Sequence, residues 1–216
     1  MADHDHDHDH DVHPPTQEDA GASYYAKRAQ AIEQVLVEKG VVTPDDIRKQ
    51  IEAMDTRIVE GPGQGAAIVA RAWTDPEYRA LLLEDTKAAL AQMGVDYGEM
   101  NVLAAVENTP QVHNVVVCTL CSCYPRPLLG LPPDWYKSFE YRSRTVADPR
   151  GVLREFGTEV PDDVEVRVHD SSADIRYLVI PQRPVGTVGW SQEQLAALVT
   201  RDSMIGVSRA KQPAAP

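Results

Sequence analysis

Three cysteines within six consecutive residues constrain this chain more than any other feature of its sequence. They are Cys118, Cys121 and Cys123, in the run Val-Cys-Thr-Leu-Cys-Ser-Cys-Tyr, and the 216-residue chain has no other cysteine. A disulfide framework is therefore excluded, because it needs several cysteine pairs distributed along the chain. A zinc ribbon needs a second cysteine pair, and a ferredoxin cluster needs a fourth thiolate. The sequence offers neither.

Several interpretations of the cysteines stay open at this point. A thioredoxin-like redox pair would leave Cys123 without a role, and the segment does not open a helix as that motif requires. A zinc site completed by a remote His or Asp is a second possibility. Three cysteines packed in a core without any chemistry are a third, although thiols so close together match inert packing poorly.

The spacing C-x-x-C-x-C also permits a claw, in which three sulfurs surround one point and the backbone wraps beneath it. The peptide nitrogens of Ser122 and Cys123 then lie between the second and third sulfurs. If both amides lose their protons, they join the sulfurs in a planar N₂S₂ set with the remaining sulfur axial. Amide deprotonation requires a strongly Lewis-acidic trivalent metal, for which zinc is a poor candidate. Such a claw leaves a sixth position for water or substrate.

Composition and charge narrow the class of protein. The chain has 33 acidic and 21 basic residues and a formal net charge of −12, which argues against binding a nucleic-acid backbone. No apolar run approaches the ~18 residues of a membrane span, and the N-terminus is charged where a secretion signal needs a hydrophobic stretch. We therefore expect a cytoplasmic protein with neither nucleic-acid nor membrane partners.

The N-terminal part of the chain is predicted to consist of a tail and a helical arm. Residues 1–21 begin with alternating Asp and His and are expected to form a disordered tail, with weak capture of a divalent metal as a possible added role. Residues 22–64 are expected to form a helical arm. Its first helix spans 23–39 and ends at Gly40, its second begins with Thr43 as N-cap and Pro44 in the first turn, and the glycine-rich stretch 61–65 is a linker.

Residues 65–207 are predicted to form an α+β domain of short sheets covered by helices, followed by a C-terminal tail at 208–216. Helices are expected over 66–72, from 75 to 90, from 149 to a stop at Gly157, and from Ser191 onward, where Gln194 completes a capping-box pattern. Strands are expected at 102–106, 115–117, 164–168 and 175–180. The strand at 115–117 leads directly into Cys118, which places the claw loop at a strand end.

The sequence resembles the α subunits of nitrile hydratases. The resemblance covers residues 65–207 and rests first on the run from His113 through the cysteines to Pro125 and on Leu-Gly-Leu-Pro-Pro-Asp-Trp-Tyr-Lys at 129–137. Thr119 and Tyr124 are similar to the cobalt-dependent branch of that family, so iron(III) is the less favoured metal. Shorter stretches that agree with the family lie at 72–77, 107–110, 141–144, 181–184 and 199–206.

The resemblance implies one non-corrin cobalt(III) ion per chain and hydration of a small nitrile to its amide. It implies that Cys118 is the axial thiolate, Cys121 a sulfinate and Cys123 a sulfenate, with the amides of Ser122 and Cys123 completing the metal ligands. Cys121, Ser122 and Cys123 would form the catalytic group, in which the Cys123 sulfenate oxygen acts as nucleophile or as base toward water. Oxidation of cysteine beyond the sulfenate is normally irreversible damage, and here it would be part of the site.

Two positions depart from the family pattern and, with Tyr124, are predicted to line the substrate pocket. Arg126 stands where most of these proteins have Trp, and Tyr97 stands where a Gln is expected. A fixed cation at Arg126 would suit an anionic or polar substrate, although Arg126 could equally face a subunit interface. Arg126 and the His-Asp-rich N-terminus are similar to the γ subunit of thiocyanate hydrolase, a related cobalt enzyme and the first alternative. The stretches 107–110, 129–133 and 170–172 favour nitrile hydratase.

The resemblance also implies partners: a β-type subunit, without which the chain is poorly active, and an accessory protein that inserts cobalt. Arginines of the β subunit would stabilise the oxidised sulfurs. Arg142, Arg144 and Arg176 could do so from this chain, although such residues more often form ordinary ion pairs. His113 is expected to be structural, since an S₃N₂ ligand set needs no imidazole. The second alternative is a non-catalytic metal-binding or redox-sensing module.

Overall fold

The computed structural model describes residues 24–98, 101–120 and 123–213, and the side chains of these residues except 24–26 and 51–62. The chain divides into two compact units, Met1–Ile51 and Glu52–Pro216. The domain limits expected from the sequence stay a prediction, and the His-Asp tail lies outside the described residues. Of the helices in these ranges, none combines the length and the apolar character needed to cross a membrane.

The first helix lies where the sequence predicts it, and the second begins where the sequence predicts. Helix α1 spans Tyr24–Glu38, and Gly40 follows with a φ of 65°, a left-handed conformation that glycine adopts without strain. Helix α2 spans Pro44–Thr74. Before it, the Thr43 hydroxyl accepts the Asp46 N–H at 3.1 Å, and the Asp46 carboxylate accepts the Thr43 N–H at 3.0 Å. These bonds satisfy donors that the first turn would leave unpaired.

The predicted linker at 61–65 is wrong, because α2 continues through this glycine-rich segment. A Cβ on Gly65 would lie 2.7 Å from the backbone oxygen of Leu128 and 2.8 Å from the sulfur of Met204. Glycine is therefore used here for close packing, not to end the helix. The next turns bury Ile68 and Val69 completely, and this burial outweighs the low helix propensity of the segment.

The single helix expected from residue 75 to 90 is also wrong in detail, because it is divided at Asp85. Helix α3 spans Pro76–Glu84 and helix α4 spans Thr86–Ala91. Asp85 has a non-helical φ of −136°, and its carboxylate accepts the Ala88 N–H at 3.0 Å. The side chain of Asp85 thus caps a second helix, whereas the uninterrupted apolar periodicity of the sequence predicted a single continuous helix.

Four short strands form two parallel pairs. Strand β1 (Val102–Glu107) pairs with β4 (Ile175–Ile180), and β2 (Val112–Val117) pairs with β3 (Glu165–Asp170). All four strands were predicted, β4 with the same limits and β2 with a later start. In the second pair, Val117 lies beside Asp170, so the carboxyl ends of β2 and β3 meet at one edge.

Short helices surround these sheets and complete the predicted α+β class, which is confirmed. The helices after α4 are α5 (Arg126–Leu129), α6 (Asp134–Lys137), α7 (Phe139–Ala147), α8 (Pro149–Glu155), α9 (Gln192–Ala196) and α10 (Arg201–Ile205). Helices α3 and α4 contact β1, α7 contacts β2, α8 contacts β3, and α10 contacts β2 and β4. The helix beginning at Pro149 and the capping box of Ser191 and Gln194 are as predicted.

Candidate metal centre

The cysteine loop begins at the carboxyl end of β2, as predicted. Cys118 directly follows Val117 and is completely buried, as is Val115 within the strand. The Ser171 N–H, at the end of β3, donates to the carbonyl of Val117 at 2.7 Å. The carboxyl edge of parallel strands is where α/β folds place ligand-binding loops, since strand ends fix the loop while leaving it accessible.

The first residue after Cys118 is held by three hydrogen bonds. The Asp170 carboxylate accepts the Thr119 N–H at 2.9 Å and the Thr119 hydroxyl at 2.6 Å. Arg142 of α7 donates from its Nη2 to the Thr119 carbonyl at 3.1 Å. Because the N–H, hydroxyl and carbonyl of Thr119 all have partners, the backbone between Cys118 and the second cysteine is fixed at its start.

The end of the loop is held from another helix. The Tyr136 hydroxyl of α6 donates to the carbonyl of Cys123 at 2.9 Å, and both residues are buried. Burial raises the pKa of Tyr136 well above its ordinary value, and the negative forms of Cys118 and Cys123 raise it further.

An aromatic cluster supports this end of the loop. Tyr124 contacts Tyr136 edge-to-face with ring centroids 5.1 Å apart, and Trp135 contacts Tyr141 at 4.8 Å and Phe156 at 4.7 Å. The Tyr141 hydroxyl donates to the carbonyl of Val116 within β2 at 2.6 Å. Edge-to-face pairs of this kind add about 0.5–1.5 kcal/mol each beyond the burial of area. Strand and loop are thus packed against one rigid layer.

The described donors fit a metal held by soft ligands. Cys118 and Cys123 are both buried, in a loop whose two ends are fixed, and thiolates in such a setting favour a transition metal. Cys121 and Ser122 lie outside the described residues. Within the described ranges, His, Cys, Asp and Glu side chains form no group of three that could hold a metal ion. The predicted donor set therefore depends on Cys121 and on the amides of Ser122 and Cys123.

The three residues predicted to line the substrate pocket differ in their exposure to solvent. Tyr124 is buried, and its hydroxyl has no hydrogen-bond partner among the residues the structure describes. Arg126 is exposed in the first turn of α5, three residues after Cys123. Tyr97 is half-buried beside a cavity of about 270 Å³. Burial raises the pKa of Tyr97 to about 12, against a lowering effect of Arg176.

The other predicted residues have structural contacts. His113 is confirmed as structural: its Nε2 lies 2.7 Å from the carbonyl of Gly206, and burial lowers its pKa. Arg144 pairs with Glu155. The sequence analysis did not find Asp170 or Tyr136 as contacts of the loop. The one signal available was that Asp170 lies just beyond the strand predicted at 164–168.

The fold and the site together define an α+β protein with a buried cysteine loop at the carboxyl ends of two parallel strands. A family model described as "Nitrile hydratase, alpha chain" matches residues 23–208. The chain belongs to the nitrile hydratase α-chain family.

Three known proteins show how similar this chain is to others in sequence and in structure. The high-molecular weight cobalt-containing nitrile hydratase subunit alpha of Rhodococcus rhodochrous is 57% identical over 190 residues, which cover 88% of this chain and 93% of that protein. The thiocyanate hydrolase subunit gamma of Thiobacillus thioparus is 45% identical over 82% of this chain and 76% of its own. A solved structure of a double mutant of the Fe-type nitrile hydratase of Comamonas testosteroni Ni1 superposes with a TM-score of 0.76, at 41% identity over 89% of this chain and 94% of that one.

Proposed function

We propose that this chain is the metal-binding, catalytic α subunit of a cobalt nitrile hydratase, which hydrates a small nitrile to its amide. The observation that carries the proposal is the cysteine loop, fixed at its start by Asp170 and at its end by Tyr136, in a member of this family. A rigid loop of buried sulfur donors is what a metal centre of this type requires.

Five atoms of this loop would hold one cobalt(III) ion: the sulfurs of Cys118, Cys121 and Cys123 and the amide nitrogens of Ser122 and Cys123. Cobalt is favoured over iron by Thr119 and Tyr124 and by the high identity to a cobalt-containing relative. When bound, such a trivalent ion supplies a Lewis acid that polarises the nitrile or a water molecule.

The oxidised cysteines would perform the remaining chemistry. Cys121 is proposed as a sulfinate and Cys123 as a sulfenate, whose oxygen either bonds to the nitrile carbon or accepts a proton from the attacking water. Ser122, between them, is proposed as a hydrogen-bond donor that stabilises their negative charge. Complete burial of Cys118 would keep water away from its sulfur.

Substrate selection is proposed for Tyr97, Tyr124 and Arg126. Tyr124 directly follows Cys123, and its buried hydroxyl offers a donor without a partner among the described residues. Arg126 brings a charge that does not change with pH and favours a polar group at one end of the substrate.

The chain is proposed to work in a hetero-oligomer with a β-type subunit. Leu120, directly before Cys121, is 82% exposed, and Phe139 at the start of α7 is 70% exposed. Apolar side chains this exposed beside a reactive loop are typical of a surface that a partner covers. Helix α1 likewise leaves Ile32 and Val35 exposed.

Four further expectations belong to the same proposal. An accessory protein would insert the cobalt, the complex would reside in the cytoplasm, and it would have neither nucleic-acid nor membrane partners. Metal capture by the His-Asp tail stays a prediction, because residues 1–23 lie outside the described residues.

A cobalt thiocyanate hydrolase is the second candidate, and Arg126 is the observation that favours it. Identity favours nitrile hydratase, at 57% against 45% for the respective relatives. A non-catalytic metal-binding or redox-sensing module would use the same cysteines without turnover.

The test is purification of the chain with its β-type partner after growth with cobalt, followed by metal analysis, peptide mass and activity. We expect one cobalt per chain, two added oxygens on Cys121, one on Cys123, and faster hydration of a neutral nitrile than of thiocyanate. Faster turnover of thiocyanate than of the nitrile would identify thiocyanate as the substrate instead. Labile zinc without turnover would support the sensing module, and full turnover after Cys121→Ser or Cys123→Ser would refute the claw.

A further inference from the structure

A cavity of about 390 Å³ lies away from the cysteine loop. It is formed where β1 and β4 end and β2 begins, and its wall includes Asn108 after β1, Pro181 after β4, and His113 in β2. Cys118 follows the other end of β2. Five steps of extended strand from His113 to Cys118 put about 16 Å between their Cα atoms. The cavity is therefore separate from the candidate metal centre, and none of the proposed metal ligands lines it.

Two arginines give this cavity a positive charge. Arg183 and Arg209 line it, and none of its lining residues is acidic, in a chain with 33 acidic and 21 basic residues. The exposed acids Glu159, Asp162 and Asp163 are close in sequence to parts of the wall but do not line it. A concave surface lined by charge of one sign concentrates ions of the opposite sign. The cavity is therefore suited to an anion.

Neither arginine has a charged partner among the described residues. Arg183 donates to the hydroxyl and the carbonyl of Thr187, at 3.0 and 2.5 Å, and to the carbonyl of Trp73 at 3.1 Å. Arg209 donates to the backbone carbonyl of Glu159 at 2.8 Å, not to its carboxylate. The ion pairs of the described residues include neither side chain. These bonds hold the two guanidinium groups in place without neutralising them.

The remaining donors suit a carboxylate. A guanidinium has five N–H donors, of which Arg183 uses three and Arg209 one in these bonds. A carboxylate accepts such donors in pairs, and a hydrogen bond between charged groups is stronger than one between neutral groups. Burial lowers the pKa of His113, and the charge of Arg209 lowers it further, so this charge acts on the buried wall of the cavity. An anion in the cavity would therefore meet positive charge that the chain leaves unpaired.

The rest of the wall favours a ligand with an apolar part. Most of the other lining residues are prolines, valines and an alanine, among them Pro161, Pro184 and Val185. Ligand cavities in proteins commonly measure about 300–1,000 Å³ and combine apolar walls with a few polar groups. An inorganic anion would leave these apolar side chains uncovered. A carboxylate attached to an apolar body would use both features.

We propose that this cavity is a second ligand site, which binds a small monocarboxylate with an apolar body. Arg183 and Arg209 donate to the carboxylate, and the body packs against the prolines and valines of the wall. The inference goes beyond the proposed hydration of a nitrile. It does not depend on the metal, so cobalt content and turnover test the proposed function separately.

The first experiment locates a probe in the complex with the β-type partner. Crystals are soaked with para-bromobenzoate or with para-bromobenzamide, which has the same shape without the charge. The anomalous signal of bromine then shows where each compound lies. We expect a bromine peak in the cavity with the carboxylate and none there with the amide. A peak only at the cysteine loop, no peak, or equal peaks in the cavity with both compounds would overturn the inference.

The second experiment measures benzoate binding in solution by calorimetry, where we expect a Kd of about 1 mM for a ligand this small. Arg209→Met removes one of the two charges and should weaken binding about 3- to 10-fold, since hydrogen bonds to charged groups are strong but Arg209 is exposed. Arg144→Met is the control: it removes an exposed arginine that pairs with Glu155 outside the cavity, and it should match wild type.

A second pair of variants guards against loss of folding. Val185 is 89% exposed at the cavity, so Val185→Asp adds a repelling carboxylate without disturbing the core. We expect about 3- to 5-fold weaker benzoate binding at low salt and a smaller effect at high salt. Val188→Asp, 92% exposed in the same segment but not lining the cavity, should bind benzoate as wild type does. Equal affinity in wild type, Arg209→Met and Val185→Asp would overturn the inference.

Discussion

Replacing Asp170 with asparagine tests how far the sheet edge fixes the metal loop. In the native protein, the two carboxylate oxygens accept the N–H and the hydroxyl of Thr119 at 2.9 and 2.6 Å. Asparagine offers one oxygen to the Thr119 N–H, and its amide nitrogen can donate to the Thr119 hydroxyl, which then turns to accept. Asp170→Asn therefore keeps two hydrogen bonds but loses the charge that strengthens both.

The size of the effect follows from exposure. Hydrogen bonds to a charged group contribute about 1.5–3 kcal/mol, but the side chain of Asp170 is exposed, so water replaces part of the loss and about 1–2 kcal/mol remains. Since each 1.4 kcal/mol corresponds to a factor of ten, the population of loops in the metal-accepting conformation falls about 5- to 30-fold. Apparent cobalt affinity falls with that population.

The assay is cobalt incorporation into the complex at limiting cobalt, followed by metal content and by oxygen addition to Cys121 and Cys123. Asp163→Asn makes the same change of charge on an exposed residue before β3 and should load normally. Normal loading of Asp170→Asn, or an equal loss in Asp163→Asn, would refute the reasoning.

Three further predictions concern stability. Gly65→Ala places a methyl group against a backbone oxygen at 2.7 Å and should lower the melting temperature, whereas Gly63→Ala, in the same helix with open space around it, should raise stability by up to about 1 kcal/mol; equal effects would contradict the packing argument. Burial lowers the pKa of His113 from its ordinary 6.5, so folding favours the neutral ring and its contribution is present above pH 6.5 and lost as the pH falls toward the lowered pKa. Melting temperatures at about pH 7.5 and 5.5 should therefore differ less in His113→Gln than in wild type, and an unchanged difference would exclude this residue as the cause. Tyr136→Phe removes the donor to the Cys123 carbonyl and should cost about 1–3 kcal/mol in urea unfolding together with lower cobalt content, while normal values for both would show that the bond is dispensable.

Apolar patterning predicted the core of the fold well. Strand β4 (Ile175–Ile180) and the buried valines at 115–117 in β2 were predicted from short runs of β-branched residues bounded by turn residues. The linker at 61–65 failed because local propensity carries no information about Leu128 and Met204, which approach Gly65 from distant parts of the sequence. Tertiary packing decided that segment.

Among the described helices, α5, α6, α7 and α10 were not predicted, and α7 and α10 show why. Helix α7 leaves Phe139 and Val146 exposed, so its apolar residues do not mark a buried face. Its N-cap was nevertheless readable, since Ser138 accepts the Tyr141 N–H. Helix α10 likewise has a capping box, formed by Thr200 and Ser203. Capping residues gave the stronger signal in helices this short.

The candidate metal site was likewise predicted in part: its proposed ligands were predicted from the sequence, and the residues that hold the loop were not. The proposed ligand atoms all lie between Cys118 and Cys123, so local spacing was sufficient to propose them. Their supports were not predictable, because Tyr136 lies 13 residues from Cys123 and Asp170 lies 51 residues from Thr119. Distant pairs meet only through the register of β2 with β3 and the packing of α6.

That 51-residue separation imposes an order of events during synthesis. The cysteines are translated before Asp170, and at about 5–20 residues per second the chain from Thr119 to Asp170 takes about 3–10 seconds to make. Throughout that interval the thiols belong to a nascent chain in which β3 is incomplete. The contact between Asp170 and Thr119 can therefore form only after it, and so can any metal site that depends on this contact.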